Sequence, residues 1–134
     1  MLIKSTDGKR VVDIGRPDIW KSLYSTIVIR IDQDKQKYPF AISFFENGYC
    51  SSENGYKTAR QFNLIRDALA CVPPDRAVYD LDNRNIEVPW KGRISPVITS
   101  CANLYTTADG KDLLFELVSI FCYAEIIKVS VGIQ

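Results

Sequence analysis

The stretch 104–125, LYTTADGKDLLFELVSIFCYAE, decides how the rest of the chain is read. Its first residues alternate like a strand, Ala108-Asp109-Gly110 turns the chain, and the residues that follow are apolar on almost every side of a helix. Asp109 is placed to cap that helix, Gly110 to relieve the turn, and Asp112 to favour the positive end of the helix dipole. Leu113, Leu114, Leu117, Val118, Phe121 and Ala124 form a broad apolar face that Ile120 extends, which predicts the central helix of the fold. After it, KVSVGI (128–133) reads as a closing strand with Val129, Val131 and Ile133 on one face.

Working outward to the N-terminus, Leu2–Lys4 and Val11–Ile14 read as short strands joined at an Asp7-Gly8 turn. Pro17 suits a first helical turn, and Ile19, Trp20, Leu23, Tyr24, Ile27, Val28 and Ile31 recur at helical spacing, so a helix is expected over 17–31. IVIRI, its last turn, also alternates with period two and could be strand. YPFAISFFENGYC is compatible with a short helix or a strand, broken either way at Asn47-Gly48. A second long helix is expected over 54–72, with Ala59, Phe62, Ile65, Leu69 and Val72 as its stripe and Pro73-Pro74 as its stop. AVYDLD (77–82) alternates as a strand, and the Asn-, Pro- and Gly-rich run 83–96 reads as an ordered loop pinned by Trp90. Strands and helices in this order predict an α+β (mixed α/β) fold: one domain over residues 1–134, with a small, mainly antiparallel sheet packed against about three helices.

At 134 residues, 46% hydrophobic and 25% charged, the chain has the composition of a folded domain able to bury one core. Its net charge of +1 gives no field to steer nucleic acid or membrane as a whole. The charge is uneven, however: residues 1–37 hold eight basic against five acidic side chains, and the remainder holds nine against eleven. MLIKSTDGKR (1–10) has charges where a signal peptide would need an apolar core, and the apolar run near 113–127 is too short to span a bilayer. The expected location is therefore cytoplasmic. Cys50, Cys71, Cys101 and Cys122 lie far apart with no paired spacing, which reads as buried free thiols rather than a zinc site.

The chain has no histidine, which removes Ser/His and Cys/His nucleophilic pairs and the commonest general base at neutral pH. ADGKD (108–112) carries Gly-Lys but lacks the glycine-rich span and following hydroxyl of a phosphate loop. Asp80 and Asp82, two apart, would share one face of a strand, as a metal site requires. As a calcium loop, DLDNRN (80–85) fails where Arg84 stands in place of an oxygen ligand. The carboxylates could equally be a solvated strand face or a patch that meets a basic partner. Basic residues of the first 37 are scattered among acids, with no RNA-binding signature, so no direct nucleic-acid contact is expected, and no cofactor either.

Pro73-Pro74, Val78 with Asp80 and Asp82, Pro89-Trp90 then Gly92, Ile94 and Ile98-Thr99, and Asp109-Gly110 with Asp112-Leu113 together resemble the motifs of the immunity protein 70 family of bacterial polymorphic-toxin systems. The resemblance spans residues 17–133 and is densest over 73–118. Lys91 departs from the pattern by separating Trp90 from Gly92. The resemblance implies a non-catalytic cytoplasmic inhibitor that binds the toxic C-terminal domain of a secreted effector, as in contact-dependent growth inhibition. An RNase target, with its basic substrate cleft, would call for an acidic contact surface. The least diluted acidic stretches are 75–87 and 46–53, so Asp80, Asp82 and Glu87 with Trp90 are the first candidate surface, and Glu46, Tyr49 and Glu53 the second. Two other readings stay open: a small enzyme using a divalent metal at Asp80 and Asp82, and an adaptor domain unrelated to toxins.

Overall fold

The computed structural model describes residues 1–134. A hairpin opens the chain, β1 (Leu2–Ser5) and β2 (Val11–Asp13), and leads into α1 (Pro17–Arg30) and α2 (Pro39–Asn47). β3 (Tyr49–Cys50), a 3₁₀ turn and α3 (Gly55–Leu69) follow; after a long irregular segment come α4 (Leu113–Ile127) and β4 (Val131–Ile133). The sheet runs β2-β1-β4-β3, antiparallel throughout, so the closing strand inserts between the first and third. This is the expected α+β architecture, with four helices where about three were expected.

α4 is the axis of the core. Leu113, Leu114, Leu117, Phe121 and Ala124 are all fully buried, and Phe121 stacks on Phe62 of α3 at 5.6 Å and meets Phe44 of α2 edge-on at 4.8 Å. Such offset and T-shaped pairs add about 1 kcal/mol each beyond the area they bury. α3 crosses α4 so closely at its start that a Cβ on Gly55 would lie 2.5 Å from the Phe121 carbonyl oxygen and 2.9 Å from the Glu125 Cβ. Glycine is therefore required there by space alone. The helix N-termini are capped by distant side chains as well as local ones: Glu125 accepts from the Tyr56 N–H at 2.9 Å, and Gln61 accepts from the Phe40 and Ala41 N–H groups. These long-range caps leave no local sequence signature.

IVIRI is helical through Arg30, where α1 ends, and Ile31 is the residue that caps it. The ambiguous stretch resolves into both alternatives in turn: α2, ended by Gly48 at φ +71°, and then the two-residue β3. α3 stops at Leu69, three residues short of the expected end, because Ala68 and Leu69 carbonyls accept i+3 bonds from Cys71 and Val72 that tighten the last turn ahead of Pro73. Asp109 is not the cap of α4. The turn closes on itself, with Thr107 bonded to Lys111 and Gly110, and Thr106 bridged to Asp112. The helix starts only after this small hairpin, and Asp112 is the N-cap, accepting from Phe115 N–H at 3.2 Å. Of the four cysteines, Cys50 and Cys101 are buried, Cys122 is half-buried and Cys71, at the loosened end of α3, is exposed, contrary to the expectation of four buried thiols.

Candidate functional site

Residues 77–112 contain no helix or strand beyond the single Thr106–Asp112 bridge. AVYDLD is thus not a strand, although its alternation predicts one. The reason lies on α1, where Ser22, Ser25 and Thr26 form a hydroxyl face, fully buried, against which this backbone is laid. Thr26 Oγ1 accepts from the Val78 N–H at 2.9 Å and donates to the Val78 carbonyl at 3.2 Å. Ser22 Oγ donates to the same carbonyl at 2.8 Å, and Ser25 Oγ accepts from the Leu81 N–H at 3.0 Å. Helix side chains thereby satisfy groups that a neighbouring strand would otherwise have paired. Tyr105 closes the cluster: its hydroxyl lies 2.7 Å from Thr26 Oγ1 and 3.0 Å from Ser22 Oγ, and burial raises its pKa far above the ordinary tyrosine value.

The clamp runs the segment antiparallel to α1 and sorts its charges by end. At the N-terminal end of α1, Lys21 Nζ sits 3.3 Å from Asp80 and 3.1 Å from Asp82. Hydrogen bonds to Asp82 and Asp80 raise the lysine's pKa, while the Asp82 backbone N–H, assisted by Lys21, lowers that of Asp80. The pair does point to one place, as the strand reading required, but an ammonium group already occupies it. No cluster of three potential metal ligands is present. Glu87 is likewise matched, 2.8 Å from Lys91 one helical-type turn on.

At the other end, Arg30 of α1 donates from Nε to the Arg76 carbonyl at 2.8 Å, and Arg84 faces the same cleft of about 270 Å³. None of these three arginines takes part in an ion pair.

Trp90 is half-buried between Tyr79 and Tyr105, edge-on to both at 6.2 and 6.3 Å. It does not project as a knob. It floors an apolar cleft of about 380 Å³ with Ile14, Ile19, Ile94 and Ile98, whose mouth carries Arg16 and Arg93. Its indole nitrogen is buried without a hydrogen-bond partner. Tyr79 is tied on its far side to Asp18 through its hydroxyl. The second candidate surface lies apart from this one. Glu46 bonds Lys35 at 3.2 Å and the Tyr24 hydroxyl at 3.0 Å, Tyr49 is exposed with its hydroxyl on Ser130, and Glu53 is exposed at the 3₁₀ turn before α3.

The structure thus groups Asp80 and Asp82 around Lys21 and sets Glu87 and Trp90 further along the same segment. Sequence reading missed Lys21 and Lys91, the counter-charges, because Lys21 comes from a helix sixty residues away. It also passed over Ser22, Ser25 and Thr26, whose i, i+3, i+4 spacing is the signal that a polar helix face is buried.

The immunity protein 70 family model matches residues 5–133. No curated protein and no solved structure matches the chain.

Proposed function

Because the chain belongs to the immunity protein 70 family, we propose that it neutralises a cognate toxin domain by binding it, and that this toxin is an RNase delivered in contact-dependent growth inhibition between bacteria. The observation that carries this reading is the match itself, extending over nearly the whole chain. The segment 77–112 supports it physically. An irregular segment fixed to α1 at Val78, Leu81 and Tyr105 by hydrogen bonds is a partly preorganised contact surface, which lowers the ordering cost of binding. Neutralisation of this kind is non-catalytic, takes place in the cytoplasm and needs no cofactor. No helix is long and apolar enough to cross a membrane.

The contact surface proposed first is Asp80, Asp82 and Glu87 at the edge of the segment, with the Trp90 cleft beside them; Glu46, Tyr49 and Glu53 form the second. Lys21 and Lys91 hold the first set of carboxylates in place, and a basic toxin cleft would draw them away from these exposed partners at little cost, since surface ion pairs are worth about 1 kcal/mol or less. The metal-enzyme alternative is disfavoured by the position of the Lys21 ammonium between Asp80 and Asp82. The test is growth rescue: the candidate toxin domain encoded next to this chain is expressed with and without it, and the purified pair is then titrated. Rescue with a one-to-one complex is expected. Absence of rescue from a domain shown to be toxic would sink the proposal. With the pair in hand, Asp80→Ala, Asp82→Ala and Glu87→Ala together should weaken binding at least about tenfold, and a smaller loss would move the contact to the second surface.

A further inference from the structure

No acid forms an ion pair with the arginines at the far end of the clamped segment. Arg30 comes from the last turn of α1, Arg76 from the 3₁₀ turn after Pro73-Pro74, and Arg84 from the loop beyond Asp82. The fold sets Arg30 and Arg84 on one cleft with Arg76 next to Arg30, and of the two acids lining that cleft Glu87 pairs with Lys91 and Asp75 pairs with none of the arginines. Burial, followed by the charges of Arg76 and Arg84, lowers the pKa of Arg30, so the guanidinium is held where its charge is least comfortable. Convergent like charges, one of them half-buried, are an arrangement that an anionic partner relieves.

We infer that the cleft lined by Arg30 and Arg84, with Arg76 adjoining Arg30, receives a carboxylate side chain from the surface of the toxin domain. This inference rests on the binding role proposed above and adds a second, oppositely charged contact to it. Three features favour a protein carboxylate over the phosphates of an RNA. The cleft is small, about 270 Å³, and its walls include Val78, Ile86, Val88 and Ile94, which suit the aliphatic stem of one acidic side chain. Asp75 and Glu87 on its rim would repel a polyanion, whose affinity depends on an uninterrupted run of cations. Arginine's planar fork pairs with a single carboxylate in bidentate fashion. The partner surface is then bipolar, basic opposite Asp80 and Asp82 and acidic opposite the arginines. That fixes its orientation, because docking reversed would set like charges against each other.

The experiment uses Arg84→Glu, since Arg84 is exposed and makes no hydrogen bond within the protein, with Arg60→Glu on the exposed face of α3 as the control for net charge. Affinity for the toxin domain is measured by calorimetry for the wild type and both variants. The expected result is that Arg84→Glu weakens binding about tenfold or more while Arg60→Glu leaves it within about twofold, and that one acidic-to-lysine change on the toxin restores binding to Arg84→Glu. Equal affinities for wild type and Arg84→Glu overturn the inference and leave the binding role standing. A wild-type protein that does not bind the toxin at all overturns the binding role and this inference with it. A free wild-type protein that retards a labelled single-stranded RNA, with retardation lost in Arg84→Glu, also overturns it, because the cleft would then be a phosphate site.

Discussion

Around Phe121 the contacts are carbon on carbon, two aromatic rings within 6 Å and a ring of aliphatic side chains from three helices. Around Val78 they are hydroxyl on backbone, four hydrogen bonds from three residues of α1. The first region is a core that any well-packed apolar set could fill; the second is a polar seam in which each bond has one geometry. Apolar packing is non-directional and tolerant of repacking, whereas a buried polar contact costs its full desolvation when a single partner is lost. The body should therefore fail by degrees and as a whole, and the segment 77–112 at particular bonds and separately.

The largest effect is expected in the body. Phe121→Ala removes the ring that joins α2, α3 and α4, and should lower stability by about 3–5 kcal/mol in urea denaturation. The two tryptophans offer separate reporters, because Trp20 lies in the core and Trp90 in the segment. For Phe121→Ala both should lose their native fluorescence in one transition. A transition seen by Trp90 alone would mean that the body does not depend on this ring.

Thr26→Val keeps the shape of the side chain and strips the Val78 N–H of its acceptor, so it should cost about 1–3 kcal/mol. The comparison predicts where that loss appears. With Trp90 as the only tryptophan (Trp20→Phe), the segment should loosen at lower urea than the body does with Trp20 as the only one (Trp90→Phe). Cys101 gives a second readout. It is buried, its thiol donates to the Pro73 carbonyl at 3.3 Å, and burial pushes its pKa up to about 11, so it should resist alkylation while exposed Cys71 reacts at once. In Thr26→Val the Cys101 rate should rise. Coincident transitions and an unreactive Cys101 would show one cooperative unit and dissolve the distinction between the two regions.

The same contrast explains what the sequence disclosed. The body was legible because apolar periodicity is a local record of burial: α1, α3, α4 and the flanking strands follow from Trp20, Leu23, Phe62, Leu117 and Val131 read at their proper spacing. Position 109 misled because an aspartate before a helix is a good cap only if the chain enters the helix at once, and here a hairpin intervenes. AVYDLD misled for a deeper reason. Alternation reports that every second residue is sheltered, as Val78 is, and not what satisfies the backbone between. That information resides in Ser22, Ser25 and Thr26, more than fifty residues upstream. The charges of the candidate site follow the same rule: Asp80 and Asp82 count as an acidic stretch along the chain, yet Lys21 neutralises them in space, while Arg84, diluted by those acids in sequence, joins two other arginines with no acid paired to it. Composition along a strand of text measures charge before folding redistributes it.

Acid should separate the two regions most gently. In the body, Asp7 is held at about 2 by hydrogen bonds from the Ser5 hydroxyl, the Tyr123 hydroxyl and the Lys9 N–H, and so fastens the β1–β2 turn to α4. In the segment, Asp80 is lowered by the Asp82 N–H and Lys21. Beside it, burial raises Asp18 but hydrogen bonds from Tyr79 and Arg16 outweigh that. All three lie below the ordinary 3.8, so each contributes stability that is present above that value and is lost as pH falls through its folded one. Asp7 loses its contribution progressively between 3.8 and about 2 and with it one tie of the β1–β2 turn, whereas Asp80 of the segment and Asp18 of α1, which holds Tyr79 beside Trp90, both fade below 3.8 at the Trp90 end. On titration from about pH 5 to about pH 2, the Trp90 reporter should therefore change before the Trp20 reporter. Added salt at about 1 M should blunt the Trp90 change more than the Trp20 change, because exposed pairs such as Lys21 with Asp82 are screened and apolar packing is not. If Trp20 responds first, the polar seam withstands acid better than the core, and the separation of the molecule into a tolerant body and a bond-by-bond segment is wrong.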